Sequence, residues 1–442
     1  MTTHQRQGVI NASPTKSFFV DMLVKDVSLS MAILDLIDNS IDGALRVRPD
    51  GSTFDGLVVK INLTPDSFVI EDNCGGIPLN TAEQYAFRFG RPDGTPAIKN
   101  SVGRFGVGMK RAIFKLGRKF TVRSTSEEAR FEVDLDVEDW LADEDNWKID
   151  MTVFQPTEPY PLSDCGTFIT VTELYDGIKS QFSLAYFIDG LRREIASRHQ
   201  SNLDRGINIR VNGKSVASTT VQFIYSSVPP LYPSQEELQF DSVNIRLIAG
   251  LGPRDPNKAG WYVYCNGRMV VSSDQTDLTG WGEVGNPKVP RYHHQYARFR
   301  GCAFFESEDA KDLPWNTTKD GLDVDSEIYR TTKLRMVSMM RPIITFLNRL
   351  DQEFDDPNED NRVLNQLVAT AVEANVLSAP TKPSFFYEQP KPAPKPPKTQ
   401  RIRYDRPIES VSKLKECLGV STLREVGEYT FDWFLENECK DE

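Results

Sequence analysis

The stretch AILDLIDNSIDGA, Ala32–Ala44, carries aliphatic residues at helical spacing, interrupted by three aspartates and an asparagine. On a helical wheel with Asp35 at zero, Asn39 falls about 40° to one side, Asp42 about 20° to the other and Asp38 about 60° away. Ile33, Leu36, Ile37, Ile41 and Ala44 occupy the opposite arc. The pattern predicts a helix with an apolar face for a sheet and a narrow stripe of carboxylates plus one amide. A solvated outer face is the plain alternative, yet such faces usually mix in basic residues, and none occurs from Leu29 to Leu45. An acid-amide stripe suits a metal-phosphate site, because Asn offers Mg²⁺ a hard oxygen ligand and a carboxylate can orient an attacking water.

Three more motifs follow. In SFVIEDNCGGIP, Ser67–Pro78, an apolar strand runs into Glu71-Asp72 and a turn with Gly75 and Gly76. It is either a tight turn or a place where a carboxylate accepts from an adenine amino group while glycines let the backbone approach the ring. In NSVGRFGVGMKRAIFKLG, Asn100–Gly117, Gly103, Gly106 and Gly108 open a helix whose first turn carries Lys110 and Arg111. Backbone N–H groups at such a start, with positive charge nearby, make a polyphosphate cradle. No Gly-Lys-Ser/Thr follows at Walker spacing, and Gly213-Lys214-Ser215 reads as a hairpin turn. The intervening YAFRFGRPDGTPAIKN, Tyr85–Asn100, reads as a loop able to close over a ligand. The last motif, CGTFITVTEL, Cys165–Leu174, is by itself a generic strand.

Composition bounds the rest. The chain has 442 residues, 39% hydrophobic and 26% charged, with a formal net charge of −11. That balance argues against a broadly basic nucleic-acid-binding surface but leaves room for a local groove. The six cysteines are scattered without a CxxC pair, which reads as reduced thiols. No run approaches the ~18 apolar residues of a membrane span. The expectation is a soluble, cytoplasmic protein without a membrane partner.

Together and in this order the motifs resemble the GHKL ATPases: gyrase-type topoisomerases, MutL-type mismatch-repair proteins, ninety-kilodalton heat-shock chaperones, MORC proteins and histidine kinases. The acid-x-x-x-Asn-x-x-Asp-Ala helix motif is met by Asp35, Asn39 and Asp42, with Gly43 inserted before Ala44. Asp-x-Gly-x-Gly is met by Asp72 and Gly76, with Cys74 in the first glycine's place; Gly103, Gly106 and Gly108 meet the lid motif, and Gly166-Thr167 the late strand motif. The resemblance implies an α+β protein: a Bergerat-type ATP-binding α/β sandwich, then an α+β transducer domain and a helical C-terminal tail. It also implies ATP and Mg²⁺ as ligands, the metal on Asn39. ATP would be held by Asn39, Asp42, Asp72, Gly76, Ile77, Gly103, Arg104, Phe105, Gly106, Val107, Gly108, Met109, Lys110 and Thr167. Asp35 would polarise the attacking water, one methylene short of the Glu most clamp relatives carry, so slow hydrolysis is expected.

The second half points to the branch. INIRVNGKSV and GWYVYCNGRMVV read as hairpins at Asn212-Gly213 and Asn266-Gly267. YVYCNGRMV resembles the transducer hairpin of MutL and MORC proteins. LPWNTTKDGLD, Leu313–Asp323, resembles the MORC segment with a γ-phosphate-sensing lysine, making Lys319 the second catalytic candidate, with a solvated loop residue as the alternative. Expected domains are 1–195, ATP-binding; 196–355, transducer-like, including a helix near 326–354 that Pro342 kinks or divides; 356–379, a helix; 380–400, a proline-rich linker; and 401–442, a small helical unit capped at Ser421. Two functions stand beside each other. One is an ATP-dependent homodimeric clamp of MORC-like type, acting on DNA in a prokaryotic defence or restriction setting. The other is a nucleotide-switched adaptor, with little turnover, binding a partner protein through Pro380–Glu442. A chaperone-like role comes third. The basic run Lys110, Arg111, Lys115, Arg118, Lys119 and Arg123 is the support for DNA contact.

Overall fold

Ser28 starts the predicted helix: its hydroxyl accepts from the Met31 N–H, and the helix runs Leu29–Val47. The computed structural model describes residues 15–25, 27–49, 53–88, 101–103, 108–283, 289–316, 318–354, 362–388 and 400–439. The first layer contains helices α1 (Lys16–Lys25), α2 (Leu29–Val47), α3 (the single turn Leu79–Thr81), α4 (Gly108–Leu116), α5 (Val137–Ala142), α6 (Asp176–Phe182), α7 (Ala185–Arg198) and α8 (Gln200–Asp204). Its strands are β1 (Val58–Leu63), β2 (Ser67–Asp72), β3 (Gly117–Thr125), β4 (Arg130–Asp136), β5 (Thr152–Phe154), β6 (Gly166–Leu174), β7 (Asn208–Val211) and β8 (Lys214–Ser215). They form one sheet in the order β5-β4-β3-β6-β2-β1-β7-β8, antiparallel except where β1 meets β7. Ile33, Leu36, Ile37, Ile41 and Ala44 of α2 lie buried in one core with Ile61, Phe68, Val122 and Val171 of the sheet. The apolar arc therefore packs as the period predicts.

A second sheet takes the order β11-β12-β15-β13-β14, and a small third one β16-β9-β10-β17. Their strands are β9 (Gln222–Ser227), β10 (Pro230–Tyr232), β11 (Ser234–Phe240), β12 (Val243–Leu251), β13 (Gly260–Cys265), β14 (Arg268–Asp274), β15 (Phe299–Ser307), β16 (Val372–Asn375) and β17 (Phe386–Tyr387). Every residue of β13 is buried. Trp261 on it needs Gly301 opposite, where a Cβ would come within 2.4 Å of the indole. Helix α9 (Glu327–Phe354) packs Met336, Met340, Ile343 and Phe346 into this core. It passes Pro342 without a break. Among the described residues no helix is long and apolar enough to cross a membrane.

Three expected boundaries shift. The Asn212-Gly213 hairpin belongs to the first sheet, since β7 pairs in parallel with β1 and the Asn212 side chain exchanges hydrogen bonds with Leu63. The first layer thus runs past residue 195, and the chain to Lys391 is one compact unit. The helix expected through 379 is α10 (Val363–Thr370) only; the backbone edge of β9 then takes up Val372–Asn375 as β16. Part of the proline-rich stretch is docked rather than a spacer. Lys382 bridges to Ser234, β17 pairs with β10, and Phe385 and Tyr387 pack on Phe346 with ring centroids at 5.5 and 4.8 Å. Residues 389–399 lie outside the described residues. Pro392–Glu442 is a separate unit with α11 (Ile408–Leu418), ending at a left-handed Gly419, and α12 (Leu423–Glu438). Thr422, not Ser421, caps α12, in a capping box closed by Glu425.

Candidate functional site

The stripe on α2 is buried, not solvated: Asp35, Asp38 and Asp42 are 2, 0 and 7% exposed, while Asn39 between them is exposed. Buried carboxylates need partners, and each finds them on a different element. Asp35 Oδ2 accepts from Arg111 Nη2 of α4 at 2.5 Å. Its Oδ1 has no hydrogen-bond partner among the described residues and lies 3.8 Å from Lys319 Nζ. Asp42 accepts from the Val102 and Gly103 N–H groups at 2.7 and 2.9 Å, so it holds the base of the glycine loop. Burial pushes its carboxyl above the ordinary range, against the pull of those amides.

Asp38, the poorest of the three on the wheel, is the most heavily engaged. It accepts from Lys319 Nζ at 2.9 Å and contacts the Arg268 guanidinium. His199 Nε2 stands 3.7 Å from its other oxygen. Lys319, read in the sequence as a γ-phosphate sensor, has Asp38 as its closest carboxylate. The loop that carries it is tied by Asn316 and Thr318, both donating to the Asp320 carboxylate, and Lys319 itself has φ of 55°. It is buried, not a solvated loop residue. Burial lowers its ammonium to about 8, with Asp35 and Asp42 resisting and Arg268 and Arg111 assisting. Burial likewise lowers Arg268 to about 10, still cationic at neutral pH. Burial, with Lys319 and Arg198 adding to it, drops His199 to about 3, so this imidazole is neutral.

The other end of the groove is built around Asp72. Its Oδ2 accepts from Ser40 Oγ at 2.7 Å and its Oδ1 from the Cys74 and Thr167 N–H groups at 2.9 and 3.3 Å. Burial pushes this carboxyl up while those bonds pull it down. Ser124 joins the motifs, accepting from the Ile77 N–H at 2.8 Å and bonding Thr167 Oγ1 at 3.1 Å. Gly76, with φ of 66°, could not carry a Cβ, which would fall 2.0 Å from the Thr125 carbonyl oxygen. The departures from the motif pattern meet each other: a Cβ on Gly43 would lie 2.6 Å from the Cys74 carbonyl oxygen and 3.1 Å from its Cβ. Cys74 thus sits where a glycine is expected, and α2 lacks a side chain where it passes.

The glycine loop is described only at its ends. Arg104, Phe105, Gly106 and Val107 lie outside the described residues, as does 89–100 of the loop expected to close. A Cβ on Gly103 would fall 2.6 Å from Asp42 Oδ2, and one on Gly108 3.2 Å from the Asp35 Cβ, so both glycines lie directly on the stripe. Met109 is buried in the first core. Lys110, expected on phosphate, is buried and donates to the Ala86 carbonyl at 2.8 Å; burial lowers it to about 7. The basic run does not form an unpaired cationic patch. Arg111 holds Asp35, Lys115 donates to the Val24 carbonyl, and Arg118, Lys119 and Arg123 pair with Glu138, Glu173 and Glu132.

Sequence reasoning missed Ser40, Arg46, Ser124, His199 and Arg268. Arg46 donates to the Gly76 carbonyl beside Asp42 and Asp72. Two of these had a signal: Ser40 adjoins Asn39, and Arg268 ends the Asn-Gly turn of the quoted hairpin. Ser124 and His199 had none, because only folding brings Ser124 to Thr167 and His199 to Asp38. The donor set suits a magnesium-nucleotide ligand: one exposed amide on a carboxylate helix, a shielded aspartate at the far end, and glycines with no room for side chains between.

No curated protein matches the chain. Residues 27–167 match the family model described as histidine kinase-, DNA gyrase B- and HSP90-like ATPase, which supports a GHKL-type ATPase domain of Bergerat-type fold in this segment and, with it, ATP binding.

Proposed function

We propose that the protein binds Mg-ATP along α2, hydrolyses it slowly, and reports nucleotide state to its second sheet. The observation carrying this is Lys319: a residue 281 positions from Asp38, on a loop of the second layer, lies in the carboxylate stripe of the nucleotide helix. Asp72 would accept from the adenine amino group, with Thr167 beside it. Asn39 would hold Mg²⁺, which neutralises phosphate charge when bound. The Gly103–Lys110 loop would face the phosphates. Asp35, whose Oδ1 has no hydrogen-bond partner among the described residues, would polarise water, and Lys319 would leave Asp38 to stabilise charge on the transferred group.

In the clamp reading, closure of the loop also pairs two copies, in the MORC manner. DNA contact loses its main support with the pairing of the basic run. The adaptor reading gains from the C-terminal unit, where Tyr429, Phe431, Trp433 and Phe434 are all exposed. The test is analytical sizing of the full chain with and without a non-hydrolysable ATP analogue. A doubled mass supports the clamp, and an unchanged mass removes it. DNA retention across a salt series, in both nucleotide states, then separates clamp from adaptor. Turnover in Asp35→Ala equal to that of wild type would take Asp35 out of the base role.

A further inference from the structure

The base of the glycine loop is held from two sides. Toward α2, the Val102 and Gly103 N–H groups donate to Asp42. Toward the second sheet, Asn266 Nδ2 in the turn between β13 and β14 donates to the Ser101 carbonyl at 3.0 Å. The same amide donates to the Ser307 carbonyl and accepts from the Ser307 N–H, both at 3.0 Å, so its side chain is fixed to β15. Asn266 is 9% exposed, with φ of 46°, a conformation asparagine tolerates better than most residues. The side chain of Val102 is fully buried and belongs to the second-sheet core with Trp261, Val263 and Phe305, not to the first core. Two residues after Asn266, Arg268 contacts Asp38. One hairpin therefore touches the nucleotide helix and the segment that leads into the glycine loop.

We infer that Asn266 is a positioning residue for the ATP site: with Val102 it anchors the base of the glycine loop to the second sheet and couples nucleotide binding to that sheet. The inference rests on the proposed Mg-ATP reading and names the link through which the site communicates. Asn266 touches no substrate. It fixes Ser101, so the amides of 102 and 103 stay aligned on Asp42. Losing the anchor leaves the adenine end and Asn39 intact. The defect should therefore fall on the reacting state rather than on initial binding.

The test compares full-length Asn266→Gly, which keeps the left-handed turn without strain, with Asn212→Gly, which removes a similar Asn-Gly clamp far from the loop. Val102→Ala is the second probe of the anchor, should Asn266→Gly fold poorly. Steady-state kinetics and hydrogen exchange are measured with and without a non-hydrolysable ATP analogue. Asn266→Gly and Val102→Ala should each lower kcat about tenfold while KM stays within about twofold. Both should abolish nucleotide-dependent protection of residues 260–274 and retain it at 29–47, and Asn212→Gly should do neither. The inference is overturned if Asn266→Gly protects 260–274 as wild type does, or if Asn212→Gly shows the same defect. Absence of nucleotide protection at 29–47 in wild type would instead bring down the ATP reading, and this inference with it.

Discussion

The pair most open to measurement is Lys319 with Asp38. Their charged atoms are 2.9 Å apart and the side chains are 8 and 0% exposed. At an effective dielectric of about 20 this gives a gross attraction of roughly 6 kcal/mol. Arg268 on the same carboxylate repels Lys319, and relaxation around the site screens part of the rest, so about 3 kcal/mol of coupling should survive. Single variants overstate it, because each leaves a buried charge unpaired: Asp38→Asn strands Arg268 as well as Lys319. A double-mutant cycle of Lys319→Met and Asp38→Asn cancels the Arg268 contribution. Each single variant should lose about 3–4 kcal/mol, and the double about 4 rather than the additive 7. Urea unfolding followed by tryptophan fluorescence is the assay, since Trp315, in the Lys319 loop segment, is buried. A coupling below about 1 kcal/mol, the range of exposed pairs, would refute the reasoning. With saturating ATP analogue the coupling should shrink, because phosphate competes with Asp38 for the ammonium.

Two further outcomes follow from the same geometry. His199 is held at about 3 against its ordinary 6.5. The unfolded chain takes up a proton that the folded chain refuses, so stability falls as pH drops below 6.5, by roughly 2 kcal/mol at pH 5. Asp42 and Asp72, pushed upward by burial, act in the opposite sense, so the readout is the difference between wild type and His199→Gln, whose pH slope should be flatter; equal slopes would contradict the assignment. Gly43→Ala should lower the melting temperature, by overpacking worth about 1–3 kcal/mol against the Cys74 carbonyl, whereas alanine at an unobstructed helix position would raise it. Adding Cys74→Gly should recover part of the loss, and a higher melting temperature in Gly43→Ala alone would refute the packing account.

Much of the site was legible because its motifs are local. Period 3.6 placed Asp35, Asn39 and Asp42 on one stripe of α2. Glycines 76, 103 and 108, read as ligand-facing, are positions where a Cβ would meet Thr125, Asp42 and Asp35. Periodicity ranks residues by angle about a single helix axis, so it could not rank Asp38, whose environment comes from three other segments. The edges of β9 and β10 were invisible for the same reason. Val372–Asn375 reads as helix continuation and Phe386–Tyr387 as spacer until a free strand edge is placed beside them. Likewise β7 carries no mark saying which sheet it joins.

The sequence by itself determined the helix and its carboxylate stripe, and the resemblance of Leu313–Asp323 to a MORC segment singled out Lys319. Only the tertiary structure decided which acid that lysine meets. Burial removes water as the default partner of every charge, so Asp35, Asp38 and Asp42 must each be satisfied by whatever the fold brings close: Arg111, then Arg268 with Lys319, then two backbone amides. Those partners are distributed over the chain from residue 102 to residue 319, and no local pattern records their meeting.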